Sequence, residues 1–86
     1  MFPLRILITE DDHVSALLLK KALEKNNHEI IGISDSGERA LEILETSPAD
    51  IVMMDINLAG ELDGIRTTEI INEKYDIPVV YLSASS

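Results

Sequence analysis

Cysteine and tryptophan are absent from the 86-residue sequence, and aromatic residues make up only 3% of it. Without cysteine, the sequence offers no disulfide, no thiolate nucleophile and no cysteine-ligated zinc or iron–sulfur site. This composition suits a reducing compartment, so we expect a cytoplasmic protein. No apolar run approaches the roughly 18 residues that cross a bilayer. The stretch from Met1 to Arg5 lacks the basic and apolar regions of a signal peptide, and we do not expect one there.

Basic residues are also scarce. Seven Lys and Arg stand against 16 Asp and Glu, which gives a formal net charge of −9 and a pI near 4.4. Nucleic-acid binding depends on Lys and Arg that neutralise phosphates, and anionic membranes attract the same residues, so we expect neither partner. An acidic surface instead permits hard cations and basic protein surfaces. The hydrophobic content, 45%, is sufficient for one core and excludes a wholly disordered acidic tail.

Short apolar segments alternate with helical patterns along the chain. The apolar segments predict strands at 4–9, 29–33, 51–54 and 78–83. The helical patterns predict a first helix at 13–25. A second begins at Asp35-Ser36-Gly37-Glu38, where the capping side chain of Asp35 is followed three residues later by Glu38, and it stops at 47–48. A third begins at Asp63. The near-continuous apolar strands in the order β-α-β-α-β-α-β are typical of a parallel sheet covered by helices on both faces. We therefore predict an α/β fold, a three-layer αβα sandwich.

Each predicted helix has an apolar stripe that we expect to face the sheet. In the first helix, the stripe consists of Val14, Leu17, Leu18 and Ala22, widened by Leu19 and Leu23. In the second helix, it consists of Gly37, Ala40, Leu41 and Leu44. In the third helix, it consists of Gly64, Thr68, Ile71 and Tyr75. Asp12 and Asp63 are expected to cap the first and third helices.

Acidic residues follow the predicted strands at their carboxyl ends. Strand one ends in Glu10-Asp11-Asp12, and strand three ends in Asp55. If these strands are neighbours, the carboxylates converge at the edge where open α/β sheets bind ligands. Such crowding requires a proton, a buried Arg or a divalent cation to offset it. An all-oxygen ligand set suits Mg²⁺ or Mn²⁺ better than zinc. In isolation, each acidic residue is also compatible with a solvated turn or a helix cap.

Four segments together resemble the receiver domain of two-component response regulators. They are Ile6-Leu7-Ile8-Thr9-Glu10-Asp11-Asp12, Asp50-Ile51-Val52-Met53-Met54-Asp55-Ile56-Asn57-Leu58, Asp63-Gly64-Ile65 and Ile77-Pro78-Val79-Val80-Tyr81-Leu82-Ser83-Ala84. The resemblance extends over the whole chain, with the segments in the family's order and spacing. It implies a flavodoxin-like sheet with strand order 2-1-3-4 and identifies residues 1–86 as a receiver domain.

The resemblance assigns Asp55 as the phosphoacceptor of a two-component phosphorelay. It implies that a sensor histidine kinase or a phosphotransfer protein donates the phosphoryl group from a phosphohistidine. Mg²⁺ or Mn²⁺ would be held by Asp11 directly, by Glu10 through water, by Asp55 itself and by the backbone carbonyl of Asn57. The domain would assist its own phosphorylation and dephosphorylation, and we do not expect it to be an enzyme that acts on a separate substrate.

The segment after the fourth strand has two implied roles and one departure from the family. The Ser83 hydroxyl and the Ala84 amide would donate to the phosphoryl group, and the movement of Ser83 would begin a conformational switch. The family also has a fifth strand that ends in a Lys beside the phosphoryl group, and then a fifth helix. The sequence stops at Ser86, so we interpret it as a receiver domain that is incomplete at its C-terminal end. The sequence leaves the oligomeric state open between a monomer and a homodimer.

Two other functions are compatible with parts of the pattern. An aspartyl-phosphate hydrolase of the haloacid-dehalogenase type requires a second Asp two residues after the nucleophile. Asn57 occupies that position, and an amide cannot act as a general acid. A receiver that is never phosphorylated and acts as a protein interaction module is favoured by the missing Lys. The complete set of acidic residues argues against this second alternative.

Overall fold

The computed structural model describes residues 2–58 and 61–82. Four strands and three helices alternate along these ranges, as the sequence predicts. Their bounds are β1 Arg5–Thr9, α1 His13–Lys25, β2 Glu29–Ser34, α2 Gly37–Thr46, β3 Ile51–Asp55, α3 Gly64–Lys74 and β4 Val79–Leu82. None of the described helices combines the length and apolar character needed to span a membrane.

The strands form one parallel sheet in the order β2-β1-β3-β4. The predicted fold class and strand order are therefore confirmed. β1 lies in the interior of the sheet, and its residues from Ile6 to Thr9 are all buried. β2 and β4 form the two edges in the described part of the chain. At the β4 edge, Val80 and Tyr81 are exposed, which differs from the expectation that every strand is covered on both faces.

Helices cover both faces of the sheet, and alternate residues of β1 contact different helices. Leu7 packs with Ala40 of α2 and Ile71 of α3 in one apolar cluster. Ile6 and Ile8 form a second cluster on the opposite face, beneath α1. The predicted inner stripes of α2 and α3 are confirmed, because their members are buried or half-buried. The result is the predicted three-layer sandwich, with α1 on one face and α2 and α3 on the other.

The orientation of α1 differs from the sequence prediction. Val14, Leu17 and Leu18 are 66%, 51% and 65% exposed, so the predicted stripe points largely into solvent. Ala22 is exposed as well. Leu19 and Leu23, the two predicted members that widen the stripe, are half-buried on the inner face, together with the buried Ala16, which the prediction left out. The helix is apolar on more than one side, and the small Ala16 is buried where the helix packs against the sheet.

The helix starts place the loops at the carboxyl edge of the sheet. Asp12 caps α1 and Asp63 caps α3, as predicted. The cap of α2 is Ser36, which accepts the Arg39 amide, and not the preceding Asp35 that the motif suggested. Each cap satisfies an amide that the first helical turn leaves without a partner.

Candidate functional site

The pleat of two neighbouring strands brings two carboxylates together. β1 and β3 are paired in parallel, with Ile8 opposite Met53 and Thr9 opposite Met54. Ile8 and Met53 lie on the α1 face of the sheet. Side chains alternate between the faces of a strand, so Glu10 and Asp55, each two residues further on, return to that face.

Three acidic residues converge there. Glu10, Asp11 and Asp55 each offer a carboxylate oxygen, and the three oxygens lie within 4.8 Å of one another. Asp55 is only 6% exposed, whereas Asp11 is exposed to solvent. They line an open hollow of about 610 Å³, to which Leu19 and Leu82 contribute apolar walls. The sequence prediction that these three residues meet at the strand ends is therefore consistent with the structure.

The crowding has an electrostatic consequence at Glu10. The pKa of Glu10 is raised from its ordinary value of 4.5 to about 7, first by burial and then by the hydrogen bond and the negative charge of Asp55. A hydrogen bond with Asp11 also raises this pKa, while the Asp12 amide, which donates to Glu10 Oε2 at 3.3 Å, lowers it. Repulsion between the neighbouring carboxylates therefore favours the binding of a proton or a cation at the cluster.

Asp12 has a separate role. Its Oδ1 accepts the Val14 amide at 3.2 Å, and its Oδ2 accepts the Ser15 hydroxyl at 2.7 Å. The Ser15 hydroxyl and the Val14 amide hold the pKa of Asp12 below its ordinary value. Asp12 is therefore the ionised cap of α1, as expected, and its position in the hollow is at the rim beside the three converging acids.

The loop after β3 restrains the orientation of the Asp55 carboxylate. The Asn57 amide donates to Asp55 Oδ1 at 3.1 Å. The side chain of Asn57 is exposed, and Leu58 is buried and anchors the loop in the core. Ser83 and Ala84, the predicted donors to a phosphoryl group, lie outside the described residues.

Sequence reasoning missed several neighbours of the site. No role at the site was predicted for Ser15, Leu19 and Leu82, which complete the hollow. Arg39, from the first turn of α2, lines an adjoining hollow together with Glu10. Arg39 is 29 positions from Glu10 in the chain, so only the packing of α2 beside β2 brings them near each other. A basic residue at an amphipathic helix start was the only available signal, and it is a common one.

Comparison with known proteins agrees with this geometry. Residues 6–86 match the response regulator receiver domain family, and the chain belongs to that family. It is 34% identical over 84 residues to the transcriptional regulatory protein PdtaR of Mycobacterium tuberculosis, covering 98% of this chain and 40% of that protein. The chain spans less than half the length of the curated relatives that it matches.

Solved structures show the same fold. The signal receiver domain of a modulated diguanylate cyclase from Desulfovibrio desulfuricans superposes with a TM-score of 0.92 at 29% identity, covering 99% of this chain and 68% of that one. The response regulator PhyR from Brucella abortus superposes with a TM-score of 0.83 at 31% identity, covering 93% of this chain and 33% of that one. This chain is thus similar to the receiver domains of two different proteins, a modulated diguanylate cyclase and the response regulator PhyR.

Proposed function

We propose that this receiver domain accepts a phosphoryl group on Asp55 in a Mg²⁺-dependent reaction and relays the signal by a conformational change. The observation that carries the proposal is the position of Asp55. It is a nearly buried carboxylate that opens into a hollow shared with Glu10 and Asp11. A carboxylate whose only role is in a turn after a strand has no need for this burial or for two further acidic side chains beside it.

The donor set fits a hard divalent cation. Glu10, Asp11 and Asp55 provide oxygen ligands only, which Mg²⁺ and Mn²⁺ prefer. Burial and the neighbouring Asp55 together raise the pKa of Glu10, and a cation bound there would offset the negative charge of the cluster. We propose that these three residues and the backbone carbonyl of Asn57 hold the ion. When bound, Mg²⁺ would supply positive charge to the oxygens of the phosphoryl group during transfer.

Asp55 is the proposed nucleophile. Its Oδ1 is fixed by the Asn57 amide, and we assign the attack on phosphorus to Oδ2. The new bond joins Asp55 Oδ2 to phosphorus, while the bond between phosphorus and the donor's imidazole nitrogen breaks and its electron pair stays on that nitrogen. Phosphoryl transfer depends mainly on positioning and charge stabilisation, which a buried and rotationally fixed carboxylate provides. Ser83 and Ala84 remain the predicted donors to the transferred group.

The proposed partner is a sensor histidine kinase or a phosphotransfer protein, and the exposed face of α1 is its proposed contact surface. Val14, Leu17 and Leu18 form an apolar patch there, on the helix whose start borders the acidic hollow. Apolar patches rimmed by polar residues commonly mark protein–protein contacts. A partner seated on this patch would contact the helix that contributes Ser15 and Leu19 to the hollow of Asp55.

Labelling with a small phosphodonor tests the function without a cognate kinase. Wild type incubated with acetyl phosphate and Mg²⁺ should acquire an acid-stable, alkali-labile phosphoryl group, and Asp55→Asn should not. Asp76→Asn is the matched control, because Asp76 is an exposed carboxylate in the loop between α3 and β4. Equal labelling of wild type and Asp55→Asn would refute the assignment. No labelling of wild type would favour the unphosphorylated interaction module.

A further inference from the structure

The first residue of α3 lies directly against the backbone of Asp55. A Cβ at Gly64 would stand only 2.8 Å from Ile56 Cα and 2.9 Å from the carbonyl carbon of Asp55, and still closer to the Asp55 carbonyl oxygen. The Gly64 amide also donates to the Ile56 carbonyl at 3.0 Å. The backbone of Gly64 therefore packs directly on the Asp55–Ile56 peptide, and no side chain fits between α3 and that peptide.

The start of α3 is itself held firmly. Asp63 Oδ1 accepts the Arg66 amide at 2.8 Å, and the Thr67 hydroxyl donates to the Asp63 carbonyl at 2.7 Å. On its other side, α3 meets α2 at a second tight contact, where Gly37 lies against the buried Thr67. The helix start is consequently fixed between α2 and the peptide after Asp55.

We propose that Gly64 is a positioning residue for the reaction at Asp55. Its missing side chain allows α3 to fix the peptide after Asp55, and this contact sets how far the carboxylate extends toward Glu10 and Asp11. The inference rests on the phosphoacceptor role proposed for Asp55. Gly64 touches neither the phosphoryl donor nor the reacting oxygens, so it acts through Asp55 and is not a catalytic residue.

The physical reason is that the crowded atoms belong to the backbone. A flexible side chain would rotate away from an added methyl group, whereas the Asp55–Ile56 peptide lies at the end of a paired strand. An alanine at position 64 therefore displaces either the start of α3 or the peptide after Asp55. A misplacement of about 1 Å at a reacting group costs about a hundredfold in rate.

The test is Gly64→Ala, labelled with acetyl phosphate and Mg²⁺ over a range of donor concentrations. The maximal labelling rate should fall by about a hundredfold, while the donor concentration at half-maximal rate changes little. Gly32→Ala is the control, because a Cβ added at Gly32 would meet its nearest atom, Ile43 Cδ1, at 3.4 Å, an ordinary contact distance. Ile71→Val lowers stability within α3 and leaves Gly64 in place. Both controls should label at the rate of wild type.

A folded Gly64→Ala protein that labels like its controls would overturn the proposal. If Gly64→Ala does not fold, variants of Asp63 provide the test instead. Asp63 holds the start of α3 through its cap but contributes no atom to the contact with Asp55. Asp63→Ala should slow labelling and Asp63→Asn, which retains the cap, should restore it. Equal rates for these two variants would also overturn the proposal.

A readout that needs no phosphorylation separates this inference from the proposed function. The Asn57 amide donates to Asp55 Oδ1, so its proton NMR shift reports the position of that carboxylate. This resonance should move in Gly64→Ala and stay in place in Gly32→Ala and Ile71→Val. If wild type is not labelled, the phosphoacceptor role fails, and a shift of this resonance still supports the positioning contact. An unmoved resonance would refute it.

Discussion

The carboxylates of Glu10 and Asp55 lie immediately beyond Thr9 and Met54, the last pair that joins two neighbouring parallel strands. They share one face of the sheet because each follows an inward-facing residue by two positions. The site is therefore a product of strand register. A shift of one residue between β1 and β3 would send one of the two carboxylates to the opposite face.

The raised pKa of Glu10 predicts that stability depends on pH in the absence of metal. Between its ordinary value of 4.5 and about 7, Glu10 binds more protons in the folded chain than in the unfolded chain. Its stabilising contribution is thus fully present below about 4.5 and is lost as the pH rises through about 7. Urea unfolding in EDTA from pH 5 to pH 8 should show this loss, and Glu10→Gln should reduce it. An identical profile for the two proteins would contradict the assignment.

After burial, the neighbouring Asp55 is the next cause of the raised pKa of Glu10, so a change at Asp55 should alter that titration. Asp55→Asn removes the neighbouring negative charge, so the pKa of Glu10 should fall toward its ordinary value. Carbon-detected NMR titration of the Glu10 carboxyl measures this directly. Asp76→Asn, a change at an exposed carboxylate between α3 and β4, is the control and should leave the titration unchanged. A Glu10 titration that is insensitive to Asp55→Asn would contradict the geometry.

Mg²⁺ should raise the melting temperature of the chain. An ion that binds only the folded state adds about 2.7 kcal/mol at one hundred times its dissociation constant. The rise should shrink in Asp11→Asn, which removes a proposed ligand, and should persist in Asp76→Asn, which changes an exposed carboxylate between α3 and β4. It should also weaken below pH 7, because a proton on Glu10 competes with the ion. NaCl at matched ionic strength controls for screening, and an equal rise with NaCl would contradict a specific site.

The Thr9 hydroxyl predicts a stabilising substitution. It is buried without a hydrogen-bond partner among the described residues, and such a group costs about 1–3 kcal/mol. Thr9→Val retains the shape and removes the penalty, so the free energy of unfolding should rise by about 1 kcal/mol. Thr67→Val is the matched control, since the equally buried Thr67 hydroxyl donates to the Asp63 carbonyl. That variant should be less stable than wild type, and an equal change in both would contradict the prediction.

The observed orientation of α1 predicts opposite results for two neighbouring positions. Leu18→Ser changes an exposed side chain and should alter the free energy of unfolding by no more than about 0.5 kcal/mol. Ala16→Leu overfills a buried position against the sheet and should cost about 1–3 kcal/mol. Urea unfolding compares the two. A large loss of unfolding free energy in Leu18→Ser, with none in Ala16→Leu, would contradict this orientation and favour the predicted stripe as the inner face.

The sequence predicted the elements and their order well, because strand and helix periods alternate clearly and apolar strands favour a parallel sheet. On α1 the prediction was correct for Leu19 and Leu23 and wrong for the exposed Val14, Leu17 and Leu18. Apolar residues lie on several sides of this helix, and periodicity alone does not choose between them. Ala16 identifies that face only once the close packing of helix and sheet is known. The cap of α2 was misplaced by one residue because Asp35 and Ser36 are both good caps.

The candidate site was predictable in part. Glu10, Asp11 and Asp55 could be grouped from the sequence because parallel strands present their carboxyl ends at one edge. The sequence places Gly64 at a closely packed position on the inner stripe of α3, but only the folded arrangement shows that its partner is the backbone of Asp55. The neighbours Leu19 and Leu82 come from different elements, and only the folded arrangement brings them to the hollow.

Mass-spectrometric mapping of the phosphoryl group is the most direct test of the central claim. Wild type is incubated with acetyl phosphate, with Mg²⁺ in one sample and EDTA in the other, and its peptides are compared. The account predicts an added phosphoryl group on Asp55 in the Mg²⁺ sample alone. A phosphoryl group on any other residue, or an unmodified Asp55 in a folded chain that binds Mg²⁺, would contradict it.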